Sequence, residues 1–378
     1  MSLSQLDSNL KIILHTQLSD PDRNKLDELF VFSSNCELNI SSSSETFLFD
    51  YFHPLSEPKI SPQPDISDLP AYTPSASKLE TVILFGMIEA IAKVDCETII
   101  YDPQNTYKPL LFSETGSTAE RLVYVANLNE LEHFCSGKGV SFDTVEEMSK
   151  WLFDLEKAIV VVVKCGDRGA YVYSQNEQGW VRPYKTESVF PIGSGDSYVA
   201  AFAFYWNVKG QTPLQAAKSA SIAAAYYVSH KIMNNSEGLD NFAKNLIPIE
   251  RNGDKKVYLA GPFFTLSELW MINEAKYFIE SFGMETFSPY HEVGIGSAEQ
   301  VVQKDIDAIV DCDVMYAVFN GTDPGTLFEV GYARSIGKPV IILTENPKDE
   351  ELKMFEGSGC RIFSDFASSI YHLAWLKG

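Results

Sequence analysis

Short apolar segments alternate with helical stretches along the first two thirds of the chain, which is the pattern of an α/β fold. The run at residues 159–163 is continuous and β-branched, as expected of a strand buried on both faces of a parallel sheet. Residues 54–74 are rich in proline and serine, which predicts an extended loop. The predicted strands of this part lie at residues 11–15, 81–84, 98–101, 122–125 and 159–163.

A long helical stretch follows Ile192 and is interrupted near Gly210. Its second half begins with the signals of a helix N-terminus, because Thr212 stands at the N-cap, Pro213 in the first turn and Gln215 at the third position of a capping box. The alanine-rich sequence that follows predicts a helix that packs closely against its neighbours.

The polar segment at residues 234–256 is predicted to be a linker, with a boundary near residue 250 that separates domains at 1–250 and 251–378. Beyond it, strands and helices alternate regularly, which implies a parallel sheet covered on both faces. The predicted strands are residues 257–259, 284–288, 314–319 and 339–344, and the predicted helices start at the Thr265–Glu268 capping box, at 298 and at 326, with one more at the end of the chain.

Composition and net charge limit the classes of ligand and partner that this protein is expected to bind. A length of 378 residues favours two domains. The net charge of −21 repels nucleic-acid phosphates, which leaves small nucleosides or nucleotides as ligands. The six cysteines form no C-x-x-C pair, so neither a zinc site nor a disulfide framework is expected. No apolar run is long enough for a membrane span and the start lacks a signal-peptide core, so a cytoplasmic location without a membrane partner is expected.

Three residues with useful chemistry fall at or near the carboxyl ends of the C-terminal strands, where open α/β sheets bind ligands. Tyr258 lies in the first strand, Asp323 follows the strand that ends near Phe319, and Glu329 lies on the next helix. Asp305 lies on the preceding helix. The spacing alone predicts an α/β domain with a carboxylate-rich site.

Such a site suits cleavage of an N-glycosidic bond. One carboxylate, Glu329, would stabilise or capture the cationic sugar carbon, and a second acid, Asp305 or Asp323, would protonate the leaving base. Asp323 is equally suited to cap its helix, and the amides of Gly325 and Thr326 are free to hold a sugar hydroxyl or a phosphate.

Residues 257–345 closely resemble the nucleoside 2-deoxyribosyltransferase family in Tyr258-Leu-Ala-Gly-Pro-Phe-Phe, Ser288-Pro-Tyr-His-Glu, Lys304-Asp-Ile-Asp and Asp323-Pro-Gly-Thr-Leu-Phe-Glu-Val-Gly-Tyr-Ala. The resemblance implies a flavodoxin-like doubly wound sheet and a retaining, cofactor-free exchange of bases on 2-deoxyribose, and relatives that hydrolyse deoxynucleotides leave transfer or hydrolysis open. It implies a homo-oligomer, because a neighbouring subunit usually completes the site.

In that family Glu329 matches the nucleophile, Asp305 and Asp323 match the acids that handle base and sugar, and Tyr258 matches a tyrosine that orients the nucleophile. The candidate substrate-binding residues of this half are Gly261, Pro262, His291, Gly325 and Thr326. His291 is equally consistent with an ordinary loop histidine.

The N-terminal half carries Gly193-Ser194-Gly195-Asp196 before a helix. The amides of this segment would form an anion cradle, and Asp196 would deprotonate an attacking hydroxyl. Asn127–Glu130 and Gly166–Gly169 follow two earlier strands. In this order the three features resemble the ribokinase-like sugar kinases over residues 98–228, which implies an α/β sandwich that uses ATP and Mg²⁺.

That resemblance assigns Asn127 and Glu130 to magnesium and phosphate positioning, and Gly166 and Gly169 to the nucleotide. It is incomplete, because Phe190-Pro191-Ile192 replaces the usual Asp-Thr before the cradle and residues 1–80 lack the expected sugar-binding segment.

Three functions stay open. The chain is an N-glycosidic enzyme fused to an active kinase, a glycosidase with a nucleotide-sensing or assembly domain, or a kinase with a binding-only C-terminal domain.

Overall fold

The computed structural model describes residues 1–30, 33–65, 69–74, 79–105, 107–250, 255–294, 297–321, 323–345, 347 and 349–376. The chain divides into two compact units. The first comprises Met1–Thr186 and Phe190–Ile249, and the second comprises Glu187–Val189 and Glu250–Gly378.

The first unit is an α/β unit built on one large sheet. Its elements are α1 (Ser2–Leu6), β1 (Ile12–Leu18), α2 (Arg23–Phe30), β2 (Cys36–Ser42), β3 (Leu48–Asp50), β4 (Lys59–Ser61), β5 (Ala71–Tyr72), β6 (Leu79–Phe85), β7 (Ile91–Ala92), β8 (Asp95–Asp102), β9 (Thr118–Asn127), α3 (Leu128–Gly137), α4 (Val145–Glu156), β10 (Val160–Lys164), β11 (Ala170–Ser174), β12 (Gln178–Val181), β13 (Tyr184–Lys185), α5 (Ser194–Ala203), α6 (Pro213–His230), α7 (Ser236–Ala243) and β14 (Ile247–Pro248).

The large sheet has the order β12-β11-β10-β9-β8-β6. Strands β6, β8, β9 and β10 are parallel to one another. At the edge of the sheet, β11 pairs antiparallel with β10, and β12 pairs antiparallel with β11. Because β8, β9 and β10 run in the same direction, their carboxyl ends meet at one edge, where Asp102, Asn127 and Lys164 lie.

Alternate residues of the central strands enter two separate cores, as period-two side-chain placement requires. Val123 and Val125 pack with Phe202 of α5 and the alanines of α6, whereas Leu122 and Tyr124 pack with residues of α3 and α4. The sheet therefore has helices on both faces. Of the residues 159–163 predicted to be buried on both sides, Val160 to Val163 are buried in β10, whereas Ile159 is 36% exposed and lies before the strand.

The helix signals after Ile192 are confirmed. Thr212 and Gln215 form the expected reciprocal capping box at the start of α6. Helix α5 continues into a π-helical turn at Phe204–Val208, which ends before Gly210. Gly210 has φ of 66°, a backbone conformation that glycine adopts without steric cost.

Among the peripheral predictions, one is confirmed and two need correction. The predicted strand at 11–15 is confirmed as β1, which pairs with β2 in a separate two-stranded parallel sheet. The predicted loop at 54–74 contains the short strands β4 and β5. The predicted linker at 234–256 contains α7 and β14, because Asn235 caps α7 through the amide of Gly238, and its residues 251–254 lie outside the described residues.

The second unit is a five-stranded parallel sheet. Its elements are β15 (Lys256–Ala260), α8 (Leu266–Ser281), β16 (Glu285–Phe287), α9 (Pro289–Glu292), α10 (Ala298–Asp311), β17 (Val314–Val318), α11 (Pro324–Ser335), β18 (Val340–Leu343), α12 (Asp349–Gly357), β19 (Arg361–Phe363) and α13 (Phe366–Ala374).

The strand order is β16-β15-β17-β18-β19, with every pair parallel. In chain order this is 2-1-3-4-5, the flavodoxin-like arrangement, whose ligand site lies where the strand order reverses. All predicted strands and helices of this half are confirmed, and Thr265 and Glu268 form their capping box. The sequence prediction missed β19, which has only three residues, and it merged α12 with α13. Within the described part of the chain, no helix has the length and apolar character needed to cross a bilayer.

Candidate functional site

The centre of the C-terminal site is a hydrogen bond between a strand and a helix. Tyr258, in β15, is fully buried, and its ring stacks on Phe287 with centroids 5.7 Å apart. Its hydroxyl donates to Oε1 of Glu329, on α11, over 2.7 Å. This fixes the Glu329 carboxylate at the edge of the sheet where β15 and β17 end, which is the point where the strand order reverses.

Electrostatics at this site favour a carboxylate that titrates near neutrality. Burial raises the pKa of Glu329 to about 7, the hydrogen bond from Tyr258 opposes the rise, and the charges of Asp305 and Asp323 add to it. Burial also raises the pKa of Asp305, against the opposing effect of Lys304. Oδ1 of Asp305 is buried and has no hydrogen-bond partner among the described residues. The charges of Asp305 and Asp323 therefore both act on Glu329, and Asp305 has an oxygen available for a ligand.

Asp323 is the N-cap of α11. Its Oδ2 accepts hydrogen bonds from the amide of Thr326 over 2.6 Å and from the hydroxyl of Thr326 over 2.8 Å. Because the amide of Thr326 already donates to Asp323 and the residue is buried, this amide is not available to a substrate. The backbone of Gly325 lies close to Asp323 as well, since a Cβ there would meet Oδ2 at 3.1 Å.

Two substitutions of Asp323 distinguish its helix-capping role from the effect of its negative charge. We expect Asp323→Ala to lower the free energy of unfolding by about 1 kcal/mol, the usual cost of losing an N-cap. Asp323→Asn keeps a cap of equal quality and removes the charge, so it should retain stability. Chemical denaturation of both variants checks this, and an Asn variant as unstable as the Ala variant would contradict the capping role.

The remaining candidate residues of this half are Gly261, Pro262 and His291, and each makes packing or hydrogen-bond contacts within the protein. Gly261 allows close packing, because a Cβ there would meet Cδ1 of Ile272 at 2.7 Å and Cβ of Val318 at 3.1 Å. Pro262 is buried behind it. Both ring nitrogens of His291 are engaged, Nδ1 with Oγ of Ser288 at 3.0 Å and Nε2 with Oδ1 of Asn273 at 2.9 Å.

The residues next to Glu329 in the sequence differ in their burial. Leu327 and Phe328 beside it are 39% and 58% exposed, so the residues before Glu329 are not core residues. Glu329 and Val330 form the inward face of α11 at this point. The half-buried position of Glu329 comes from this helix face, and not from an apolar sequence neighbourhood.

The N-terminal site lies at the carboxyl edge of the large sheet. Nζ of Lys164, at the end of β10, forms an ion pair with Oδ2 of Asp102, at the end of β8, over 2.6 Å, and the two side chains are 16% and 1% exposed. Oδ1 of Asp102 is buried without a partner among the described residues. Nζ of Lys164 lies 3.7 Å from the position that a Cβ of Gly195 would occupy, so a cation stands directly beside the glycine segment.

The glycine segment begins α5. Gly193 is the N-cap with φ of 79°, and a Cβ there would collide with the hydroxyl of Tyr227, so only glycine fits. Asp196 lies in the first turn, and its Oδ1 accepts a hydrogen bond from Nε2 of Gln104 over 3.0 Å. Removal from water raises the pKa of Asp196, and the charge of Lys164 opposes the rise. The structure thus brings together the predicted cradle residues Gly193, Ser194, Gly195 and Asp196.

Asn127 and Glu130 are bound to each other. Oδ1 of Asn127 accepts from the amide of Glu130 over 2.9 Å, and Oε2 of Glu130 accepts from the amide of Asn127 over 2.8 Å. Burial raises the pKa of Glu130 to about 7, with Asp102 adding to the rise and Lys164 opposing it. Among the described residues no group of three or more His, Cys, Asp or Glu is placed to hold a metal ion. The two side chains therefore serve as the reciprocal N-cap of α3, and their role toward Mg²⁺ and phosphate stays a prediction.

Gly166 and Gly169 shape the turn between β10 and β11. Their φ values are 56° and 88°, and a Cβ on Gly169 would collide with the carbonyl oxygen of Val181. The turn itself accounts for both glycines.

Sequence reasoning missed four residues at the N-terminal site: Tyr51, Asp102, Gln104 and Lys164. Asp102 and Lys164 had a usable signal, because charged residues that end predicted buried strands are expected at the ligand edge of a sheet. Tyr51 and Gln104 had none, since both lie in irregular segments. Gln104 donates the hydrogen bond to Asp196, and Tyr51 lines the same cleft as Asp196.

In the comparison with known proteins, the two halves of the chain match two different family models. Residues 76–237 match the model of the pfkB family carbohydrate kinases, and residues 257–360 match that of nucleoside 2-deoxyribosyltransferase. These matches, together with the sheets described above, confirm the predicted fold classes.

Similar curated proteins are the 5-dehydro-2-deoxygluconokinases of Listeria monocytogenes serotype 4a (strain HCC23), 31% identical over 131 residues, and of Bacillus subtilis (strain 168), 32% identical over 132 residues. Each alignment covers 32% of this chain and 39% of the relative, so the chain spans about two fifths of the length of these relatives.

Two solved structures are similar to separate parts of the chain. Ribokinase from Thermotoga maritima has 18% identity and a TM-score of 0.48, covering 65% of this chain and 84% of its own. The 2-deoxyribosyltransferase from Bacillus psychrosaccharolyticus has 28% identity and a TM-score of 0.29, covering 32% of this chain and 97% of its own. The chain thus joins a region that matches the pfkB carbohydrate kinase family to a region that matches the nucleoside 2-deoxyribosyltransferase family.

Proposed function

We propose that the C-terminal region cleaves the N-glycosidic bond of a nucleoside or nucleotide, with Glu329 as the nucleophile. The single observation that carries this proposal is the 2.7 Å hydrogen bond from the buried hydroxyl of Tyr258 to Glu329. A nucleophilic carboxylate has to be held in one orientation, and its second oxygen has to stay available for the sugar. Within the described residues, the side chain of Glu329 makes this hydrogen bond and no other.

The proposed reaction has two displacements. A carboxylate oxygen of Glu329 attacks C1′, the C1′–N bond breaks, and the base leaves with a proton from a neighbouring acid. Asp305 suits this role, because its raised pKa keeps a larger fraction protonated at neutral pH than in an exposed aspartate. Water or a second base then gives its proton to the ionised Asp305 and attacks C1′, and the bond from C1′ to the carboxylate oxygen of Glu329 breaks. Water gives hydrolysis, and a second base gives base exchange.

The acceptor distinguishes the two outcomes. Incubation with a 2′-deoxynucleoside alone, and with a second free base, separates them when the products are read by chromatography. Hydrolysis yields free base and free sugar in both mixtures, whereas transfer yields a new nucleoside only in the second. Absence of base release from both nucleosides and their 5′-monophosphates would overturn the proposal.

Removal of the Tyr258 hydroxyl should shift the pH dependence. Its hydrogen bond lowers the pKa of Glu329, which burial raises to about 7. Because only the ionised carboxylate attacks, kcat/KM should rise with pH through this pKa. In Tyr258→Phe the pKa of Glu329 should be higher, so the rise should move to higher pH. An unchanged pH profile would contradict the orienting role of Tyr258.

We infer further that the N-terminal region transfers a phosphoryl group from ATP to a hydroxyl, with Asp196 as general base. Asp196 stands at the start of α5, where helix-terminal amides and the nearby Lys164 favour anionic phosphate. In the proposed step, the acceptor oxygen attacks the γ-phosphorus, its proton goes to Asp196, and the bond from the γ-phosphorus to the bridging oxygen of ADP breaks.

The relatives named 5-dehydro-2-deoxygluconokinase support a sugar derivative as the acceptor. We propose that residues 1–250 carry this activity and residues 251–378 the glycosidic one. The competing function is a non-catalytic nucleotide sensor, and it is favoured by the absence of Asp-Thr before the cradle. ADP release with a panel of sugars distinguishes the two, because a sensor would bind ATP without consuming it.

A further inference from the structure

The chain segment that leads into the glycine cradle belongs to both compact units. Residues Glu187–Val189 are part of the second unit, whereas the chain up to Thr186 and again from Phe190 is part of the first. Gly193, the N-cap of α5, follows only four positions after Val189. The chain therefore leaves the first unit and returns to it immediately before the proposed phosphate-binding residues.

Within the second unit, helix α13 fixes this segment with two hydrogen bonds. Oγ of Ser368 accepts from the amide of Val189 over 2.8 Å. Nε2 of His372, which lies one helical turn later, donates to the carbonyl oxygen of Glu187 over 3.1 Å, since a carbonyl oxygen can only accept. Ser368, His372 and Val189 are buried. Because a buried backbone group depends on its partner in the protein, these two side chains set the backbone conformation of residues 187–189.

Helix α13 is a well-anchored support for these bonds. Its apolar face is buried, and the hydroxyl of Ser369 pairs with that of Tyr316 in β17 over 2.7 Å. The amide of Ser368 donates to Oδ1 of the N-cap residue Asp365 over 2.8 Å. Ser368 is therefore held through its own backbone while its hydroxyl holds Val189.

The residue after Val189 is anchored within the first unit. The amide of Phe190 donates to the carbonyl oxygen of Val228, in α6, over 3.0 Å. The amide of Ser194, the first residue of α5, donates to the carbonyl oxygen of Pro191 over 3.0 Å. The stretch from 190 to 194 is thus a short, hydrogen-bonded connection, and a displacement of Val189 would be passed directly to the glycine cradle.

We propose that Ser368 and His372 are positioning residues for phosphotransfer, which fix residues 187–189 and thereby the orientation of the glycine cradle. The proposal rests on the phosphotransfer function inferred above for Asp196. It gives helix α13 a role in the reaction of the other region, through a hydrogen bond that joins residues 179 positions apart. Both residues lie beyond residue 360, where the match to the deoxyribosyltransferase family ends.

The test uses the full chain and the matched variants Ser368→Ala and Ser369→Ala. Both remove a buried hydroxyl from α13, but the Ser368 hydroxyl bonds to Val189 and the Ser369 hydroxyl to Tyr316. The readout is ADP release with ATP, Mg²⁺ and the best acceptor of the sugar panel. We expect Ser368→Ala to lower kcat at least about tenfold, because misplacement of reacting groups by about 1 Å can cost about 10²-fold. Ser369→Ala should leave kcat unchanged.

His372 provides a second pair of variants. His372→Phe keeps an aromatic ring at this position but cannot donate to Glu187, whereas His372→Gln keeps a side-chain donor. We expect His372→Phe to lower kcat as Ser368→Ala does, and His372→Gln to retain more of it. Base release and thermal unfolding are measured in every variant. Because Ser368 and His372 belong to the same unit as Glu329, a merely structural role would reduce base release as well.

The outcomes separate this proposal from the phosphotransfer function itself. Loss of phosphotransfer in Ser368→Ala, with base release and unfolding unchanged, would support it. Parallel loss of both activities, or equal kcat in Ser368→Ala and Ser369→Ala, would overturn it, and His372→Gln no better than His372→Phe would overturn the assignment of His372.

An unaltered protein that releases no ADP would contradict phosphotransfer, and amide hydrogen exchange of residues 190–196 would then decide the positioning role. Faster exchange in Ser368→Ala than in Ser369→Ala would support it, and equal exchange would overturn it.

Discussion

Replacing Glu329 by glutamine should reduce base release by at least about 10⁴-fold, the scale of loss when a nucleophile is removed. Glutamine has the size of glutamate and can still accept the hydrogen bond from Tyr258, but an amide does not attack C1′. The loss should therefore appear in kcat. The fold should persist, because the substitution removes a carboxylate whose ionised form is disfavoured by burial.

Base release measured by chromatography, with thermal unfolding in parallel, checks this expectation. Glu356→Gln is a matched control, since Glu356 is exposed on α12 and should leave the activity unchanged. Retention of more than a tenth of the activity in Glu329→Gln would remove Glu329 from the nucleophile role. Inactivity accompanied by unfolding would instead show a structural role for this side chain.

Replacing Asp196 by asparagine should reduce ATP-dependent phosphotransfer by about 10²–10⁴-fold, the usual contribution of a positioned general base. Asparagine can still accept a hydrogen bond from Gln104 but cannot take the proton of the acceptor hydroxyl. Base release should stay unchanged, because Asp196 belongs to the first compact unit and Glu329 to the second.

ADP release in the presence of the best acceptor measures this effect, and Asp240→Asn, which changes an exposed residue of α7, is the control. Phosphotransfer that survived Asp196→Asn would show that another group takes the proton. A parallel fall in base release would contradict the separation of the two activities.

The sequence predicted features that depend on local residue patterns better than contacts between residues that are far apart in the chain. The C-terminal unit was predicted nearly complete, because each of its strands is a compact apolar run and Thr265 and Glu268 mark a helix start locally. The exceptions were β19, whose three residues carry too little pattern, and the helices α12 and α13, which were predicted as one. Tyr258 and Glu329 were predicted together, although their contact joins residues 71 positions apart, because both were expected near the carboxyl edge of one parallel sheet and both match the family motif.

The N-terminal site was predicted less completely, for a physical reason. Asn127 and Glu130 follow a strand as expected, but their side chains serve a capping box that the sequence pattern allows equally well. Gln104 reaches Asp196 from an irregular segment, and Tyr51 lines the same cleft from another, and no periodicity indicates where such segments return to the sheet. The pairing of Asp102 with Lys164 depends on strand order, which the sequence alone does not reveal.

The most direct test of the central claim is mass spectrometry of the protein quenched in acid within milliseconds of mixing with a 2′-deoxynucleoside. A nucleophilic Glu329 predicts a 2-deoxyribosyl group attached to the peptide that contains residue 329, and no such adduct in Glu329→Gln. An adduct on another carboxylate, or rapid base release without any sugar attached to the protein, would contradict the claim.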